Sequence, residues 1–200
     1  MAADSTHDPL VLPAGLPAPV DDGRAAHLPG ARLPSIALPA TVGPAVDLSA
    51  VPGRAVVFAY PRTGQPGQAP FVPDWDLISG ARGCTPQACA YRDLAADFAA
   101  HGCRVFGLST QDTTYQQELA GRLHLPFPVL SDAQRALASA LQLPTMTVAG
   151  QVLLARLAWV QDDGVITHVV YPAFPPDRNA EQVLAWVAAH PSSRSAGTAD

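Results

Sequence analysis

The sequence predicts one α/β domain of three layers, a mixed central sheet flanked by helices. Three observations lead there. Apolar runs of strand length alternate with amphipathic stretches of helix length along residues 54–141, the pattern of βαβ units with parallel strands. Two further runs, 153–160 and 165–171, are joined through Asp162-Asp163-Gly164, a hairpin signal that requires antiparallel neighbours. The chain has 200 residues, 48% of them hydrophobic and 14% charged, enough for one sizeable core.

The elements follow in order. Residues 1–32 are rich in Ala, Pro and Asp and lack any period, so they read as a loose arm ahead of a domain at 33–190. Residues 54–60 (RAVVFAY) lie between Gly53 and Pro61 and read as a buried strand. Residues 62–80 are Pro- and Gly-rich yet carry Phe71, Trp75, Leu77 and Ile78, and so long a loop inside a compact domain is usually functional. A helix is expected over 87–100, with Ala88, Tyr91, Leu94, Ala95 and Phe98 on one face and Gly102 ending it. A strand at 104–108, a helix at 113–123, a short strand at 127–130 and a helix at 133–141 begun by Ser131-Asp132 come next. After the hairpin, a last helix spans 179–189 with His190 at its C-terminal end, and 191–200 reads as a frayed tail.

Composition excludes several classes. The formal net charge is −5, so no basic field exists to hold nucleic acid or an anionic membrane. All 12 basic residues are arginine, which removes lysine Schiff-base enzymes and P-loop NTPases. The first thirty residues have acidic Asp4, Asp8, Asp21 and Asp22 and repeated prolines, unlike a secretory signal, and no apolar run approaches membrane-spanning length. A cytoplasmic, reducing location is the expectation, where cysteines serve redox chemistry or metals rather than structure.

Chemistry concentrates in Gly83-Cys84-Thr85-Pro86-Gln87-Ala88-Cys89-Ala90-Tyr91-Arg92-Asp93. Thr85 suits an N-cap and Pro86 a first helical turn, so Cys84 falls at or just before a helix N-terminus. The unpaired amides and the dipole there favour a thiolate, and Arg82 is close enough in sequence to add positive charge. Cys89 lies five positions on. If both were helical, their Cα atoms would stand about 8–9 Å apart and point about 140° apart, beyond the ~7 Å reach of a disulfide. The pair can bond only if the first turn unwinds or Cys84 lies outside the helix. From the residues alone, the site is a reactive dithiol on an α/β scaffold.

The same segment, GCTPQACAYRD, resembles the active-site run of peroxiredoxins of the bacterioferritin-comigratory-protein, or peroxiredoxin Q, subfamily. Four further stretches resemble that family in order: LPSIALPATVGPAVDLSAVPGRAVVFAYP (33–61), VFGLSTQDT (105–113), FPVLSD (127–132) and RLAWVQDDG (156–164). The resemblance spans about 33–190. It implies a thioredoxin-like fold and a thiol peroxidase with no metal or organic cofactor. Cys84 would be the peroxidatic cysteine and Cys89 the resolving one. Arg156, on a strand, would polarise the peroxide, and Pro61 would shield the sulfur. The implied partners are a hydroperoxide and a thioredoxin-like dithiol, with a monomer favoured over a dimer.

Two departures stand out. Between Pro61 and Cys84 lie residues 62–83, 22 in all, many more than the family's spacing. The threonine expected three residues before the cysteine is Ala81, which leaves Ser79, Thr63 and Thr85 as candidate hydroxyls. Blander readings stand beside these. Cys103 reads as a core residue, Cys89 fits a buried helix face, Arg156 fits a solvent-facing strand position, and Pro61 would merely end a strand. Phe71 and Trp75 fit either a satellite core or the rim of a peroxide entrance. Zinc on three cysteines and a histidine lacks any CxxC pair. The competing functions are a thioredoxin-fold disulfide oxidoreductase, which ordinarily uses CxxC, and a redox sensor without efficient turnover.

Overall fold

The structure is a computed structural model, and it describes residues 8–192. Strands β1 (Ala37–Leu38) and β2 (Val46–Asp47) form a small antiparallel hairpin ahead of the main sheet. The chain then runs through β3 (Arg54–Ala59), α1 (Cys84–Asp93), α2 (Ala95–Ala100), β4 (Cys103–Ser109), α3 (Thr113–Leu123), β5 (Val129–Ser131) and α4 (Ala136–Ala140). It closes with β6 (Thr145–Val148), β7 (Gln151–Leu154), β8 (Leu157–Asp162), β9 (Val165–Val170) and α5 (Asn179–Ala189).

The central sheet has the order β5-β4-β3-β8-β9. Strand β3 pairs parallel to β4, and β4 parallel to β5. On its other side β3 pairs antiparallel to β8, which continues as a hairpin into β9. The mixed α/β sheet flanked by helices is therefore as expected. The period of two along each strand explains the three layers. Along β3, Val56 and Phe58 face one core with Tyr91, Phe98, Leu119, Val183 and Val187 of α1, α2, α3 and α5. Ala55, Val57 and Ala59 face the other core with Leu137 and Ala138 of α4 and with Leu28, Leu33 and Leu48. A sheet covered on both faces needs continuous apolar runs, which is why RAVVFA is buried throughout.

Four sequence expectations shift. The arm is packed where it is described: Ala25 and Leu28 are buried in the second core, and Arg32 bridges Val165. Gly30 N–H and Leu33 N–H donate to Ile166 and Gly164 carbonyls at 2.8 Å, so this segment covers the open edge of β9. Residues 1–7 of the arm and 193–200 of the expected tail lie outside the described residues. The helix expected over 87–100 starts three residues earlier, at Cys84, and breaks at Leu94 (φ −100°, ψ 8°). The helix expected at 133–141 contracts to 136–140, because Arg135 takes a left-handed φ of 56° while the Asp132 carboxylate accepts from Leu137 and Ala138 N–H. The strand expected at 153–160 is two strands: β7 folds back on β6, a strand absent from the sequence reading, and β8 joins the main sheet. Arg156 falls in the break between them, so it is not a strand residue.

Candidate active site

Position in the fold begins with Gly83. It takes φ 102° and forms the N-cap of α1. A Cβ there would collide with Pro176 and Leu12, so only glycine fits. This turn makes Cys84 the first residue of α1, with Thr85 inside the first turn rather than at the cap. The Cys84 side chain is buried, and its sulfur lies 3.5 Å from the Ala81 carbonyl. Arg156 Nη2 donates to Cys84 Sγ at 3.2 Å. The sulfur therefore meets two sources of positive charge, a helix N-terminus and a guanidinium.

The break between β7 and β8 frees Arg156 to reach across to this loop. Its Nη2 also faces the carbonyls of Gly80 (3.3 Å), Ala81 (3.1 Å) and Arg82 (2.9 Å), and Nη1 donates to Gln87 Oε1. Gln87 Nε2 in turn donates to Asn179 Oδ1 at 3.0 Å, and Tyr91 O–H donates to the same oxygen at 2.9 Å. Every one of these acceptors is uncharged, and among the described residues no carboxylate pairs with Arg156. Its charge remains available to the sulfur. Neither Gln87 nor Asn179 was singled out as a site residue by the sequence. Gln87 had a signal, standing three positions after Cys84 on the same helix face; Asn179 had none.

A small pocket of about 10 Å³ opens over the sulfur, lined by Pro9, Thr63, Trp75, Arg82, Cys84 and Thr85 among others. That is about the least space that holds one water. The Arg82 guanidinium is bonded elsewhere: it meets Asp76 at 3.4 Å and the carbonyls of Asp8 and Val11, fastening the arm over the site. Pro61 is buried directly after Tyr60, while the proline that borders the pocket is Pro9. Tyr60 is fully buried, and burial pushes its phenol well up against the opposing pull of Ser109. Trp75 belongs to both earlier readings. It packs with Val148 and Leu153 in a satellite core together with Phe71, and it also borders the pocket.

The three candidate hydroxyls separate. Ser79 Oγ donates to the Pro17 carbonyl at 3.4 Å and faces a different cavity. Thr63 Oγ1 and its N–H both donate to Gln111 Oε1 at 3.0 Å. Thr85 Oγ1 is buried without a hydrogen-bond partner.

Cys89 is half-buried on α1, and burial pushes its thiol up while Arg92 pulls it back. With both cysteines in one helix, their Cα atoms stand about 8–9 Å apart, so a bond between them requires the start of α1 to unwind. Cys103 opens β4, buried, and burial pushes its thiol up to about 12. All three are free thiols, and among the described residues no group of three His, Cys, Asp or Glu could hold a metal ion.

Comparison with known proteins places this geometry. Residues 28–184 match the Redoxin family model. A peroxiredoxin Q of rice (Oryza sativa subsp. japonica), chloroplastic, is 30% identical over 157 residues, covering 78% of this chain and 64% of that protein. The chain thus spans less than two thirds of that relative's length. The crystal structure of peroxidoxin BcpB from Mycobacterium tuberculosis superposes with a TM-score of 0.63 at 29% identity, covering 80% of this chain and 96% of that one. Peroxiredoxin Q of Xanthomonas campestris shares the fold with a TM-score of 0.62 at 22% identity, over 79% and 95% of the two chains.

Proposed function

The chain belongs to the redoxin family, among its peroxiredoxin Q-like members, and from that premise we propose that it is a thiol peroxidase with Cys84 as the nucleophile. The observation that carries the reading is the guanidinium of Arg156 held 3.2 Å from a sulfur at a helix N-terminus. The Cys84 thiolate attacks the distal oxygen of a hydroperoxide and the O–O bond breaks. The leaving oxygen departs with the electron pair, stabilised by Arg156 and the first amides of α1, and takes a proton from water. Cys84 is left as a sulfenic acid. The first turn of α1 then unwinds, and Cys89 condenses with Cys84 to a disulfide with loss of water. A thioredoxin-like dithiol restores both thiols by exchange. Pro61 holds the chain where it leaves β3, and no metal or organic cofactor enters the cycle.

Both sulfurs belong to one helix, so a monomer completes the cycle unaided. No helix among the described residues is long and apolar enough to cross a membrane. Three free thiols suit a reducing compartment such as the cytoplasm.

The test is NADPH consumption with thioredoxin reductase, thioredoxin and either hydrogen peroxide or an organic hydroperoxide. Turnover that disappears in Cys84→Ser and is impaired in Cys89→Ser supports the scheme; full turnover by Cys84→Ser overturns it. One observation favours a second reading, a redox sensor or slow disulfide oxidoreductase: the pocket over Cys84 is only about 10 Å³. That reading predicts stoichiometric oxidation without turnover.

A further inference from the structure

Ala81 stands where a threonine hydroxyl would serve the peroxide, and Ala81 is wholly buried with no side-chain polar atom to offer. We propose that Thr85, the residue after the nucleophile, supplies that hydroxyl and donates it to the peroxide, a catalytic contact that rests on the peroxidase reading above.

Three facts converge on it. Thr85 lines the pocket over Cys84, the residue is 2% exposed, and Oγ1 has no hydrogen-bond partner. A buried hydroxyl without a partner is unfavourable and rare, and at a reactive site it marks a group whose partner arrives with the substrate. A helical threonine ordinarily bonds a carbonyl one turn back. Here the carbonyls at those positions, Ala81 and Arg82, already accept from Arg156 Nη2 at 3.1 Å and 2.9 Å. Thr85 Oγ1 bonds neither of them, so its proton is uncommitted.

The alternatives differ in what they can give. Thr63 also lines the pocket, but its proton goes to Gln111 Oε1, so toward a peroxide it offers only lone pairs. The leaving oxygen gains negative charge as the O–O bond breaks and needs donors. Thr85 O–H and Arg156 N–H meet that need together. The bonds made and broken remain those of the attack step: S–O forms, O–O breaks, the sulfur is oxidised by two electrons and the peroxide is reduced.

The experiment compares wild type, Thr85→Val, Thr85→Ser and Thr63→Val. Two rates are measured on the reduced protein: sulfenic acid formation with hydrogen peroxide, trapped by dimedone, and alkylation of Cys84 by iodoacetamide, which needs the thiolate but no leaving-oxygen donor. Thr85→Val is expected to slow oxidation by on the order of 100-fold with alkylation changed less than about twofold. Thr85→Ser should recover most of the loss, and Thr63→Val should slow oxidation far less than Thr85→Val. Because Thr85→Val deletes a hydroxyl without a partner in a shape of equal size, its Tm should equal or exceed that of wild type. A reactive wild type with an equally reactive Thr85→Val overturns the assignment alone. So does Thr85→Val slowing both reagents alike, or Thr85→Ser remaining as slow as Thr85→Val. A wild-type Cys84 that peroxide fails to oxidise overturns the peroxidase reading and the Thr85 assignment with it.

Discussion

Cys84 and Cys103 are both buried, both border the same apolar core, and each has an arginine beside it, yet their surroundings oppose each other. Cys103 sits in a row across the sheet, Cys103 on β4 opposite Arg54 on β3 opposite Asp162 on β8. The Arg54 guanidinium is held by both carboxylate oxygens of Asp162 at 2.8 Å, so its pull on the sulfur is opposed by a carboxylate. Burial dominates and the Cys103 thiol is pushed up to about 12, although Arg54 and Arg104 pull it down and Asp162 offsets part of that pull. Arg156 meets only neutral acceptors, and its sulfur also stands at a helix N-terminus. Proximity to an arginine does not activate a cysteine. What differs is the setting: Cys103 lies buried in a strand with its arginine paired to a carboxylate, whereas Cys84 borders a pocket at a helix N-terminus with an arginine that meets only neutral acceptors.

The sharpest test of this contrast removes the sulfurs. Cys84→Ser should lower peroxide turnover by at least about 1000-fold, while Cys103→Ala leaves kcat/KM within about twofold of wild type; a large loss in Cys103→Ala would erase the distinction. Next in size is exchange of the arginines. Arg156→Gln should slow sulfenic acid formation by on the order of 100-fold. Arg54→Gln should leave that rate unchanged and instead cost about 1–3 kcal/mol of stability, because Asp162 loses its partner. Equal slowing in both variants would mean that the arginines act through general charge rather than by contact.

A smaller effect separates attack from resolution. Cys89→Ser should keep the first oxidation at the wild-type rate, giving a burst of one equivalent of peroxide with steady turnover lost; a slowed burst would place Cys89 in the attack step. In Asn179→Ala, loss of the oxygen that holds Gln87 and Tyr91 should lower the oxidation rate several-fold, and an unchanged rate would show that Arg156 is positioned without that chain. The mildest difference is in pH dependence. A thiol raised to about 12 in the fold but ordinary in the unfolded chain is neutral in both states at low pH. Above the unfolded value, near 8.5, the unfolded chain releases its proton first, so stability falls as pH climbs toward 12. Urea unfolding of Cys103→Ala across pH 8–11 should show a shallower alkaline decline than wild type, and parallel declines would remove Cys103 as its source.

How much of this was legible depends on the range of the interactions. Strands β3, β4 and β9 and helices α3 and α5 were readable because apolar period and turn residues are local properties of the chain, whereas the split of 153–160 into β7 and β8 was not. Both cysteines were legible for the same reason, since a Cys-Thr-Pro run names a helix start by itself. The helix start fell at Cys84 instead of after Thr85 because Gly83 turns at a positive φ against Pro176, a residue distant in sequence. The burial of Ala25 and Leu28 was illegible because an Ala- and Pro-rich stretch carries no period, and only a sheet face in need of cover gives it a place.

The sequence by itself determined the α/β class, the helix-start thiol and a second cysteine five residues on, since each follows from residue type and spacing; Arg156 was indicated only by the family resemblance. Only the tertiary structure decided which arginine faces the sulfur and which of the three candidate hydroxyls lacks a partner. Arg82 is two residues from Cys84 and is engaged elsewhere, with Asp76 and the arm carbonyls. Arg156 is 72 residues away and makes the contact. Hydrogen-bond donors are few and each is spent on the acceptors that packing brings near, so the group left for chemistry is known only once every other donor has been placed.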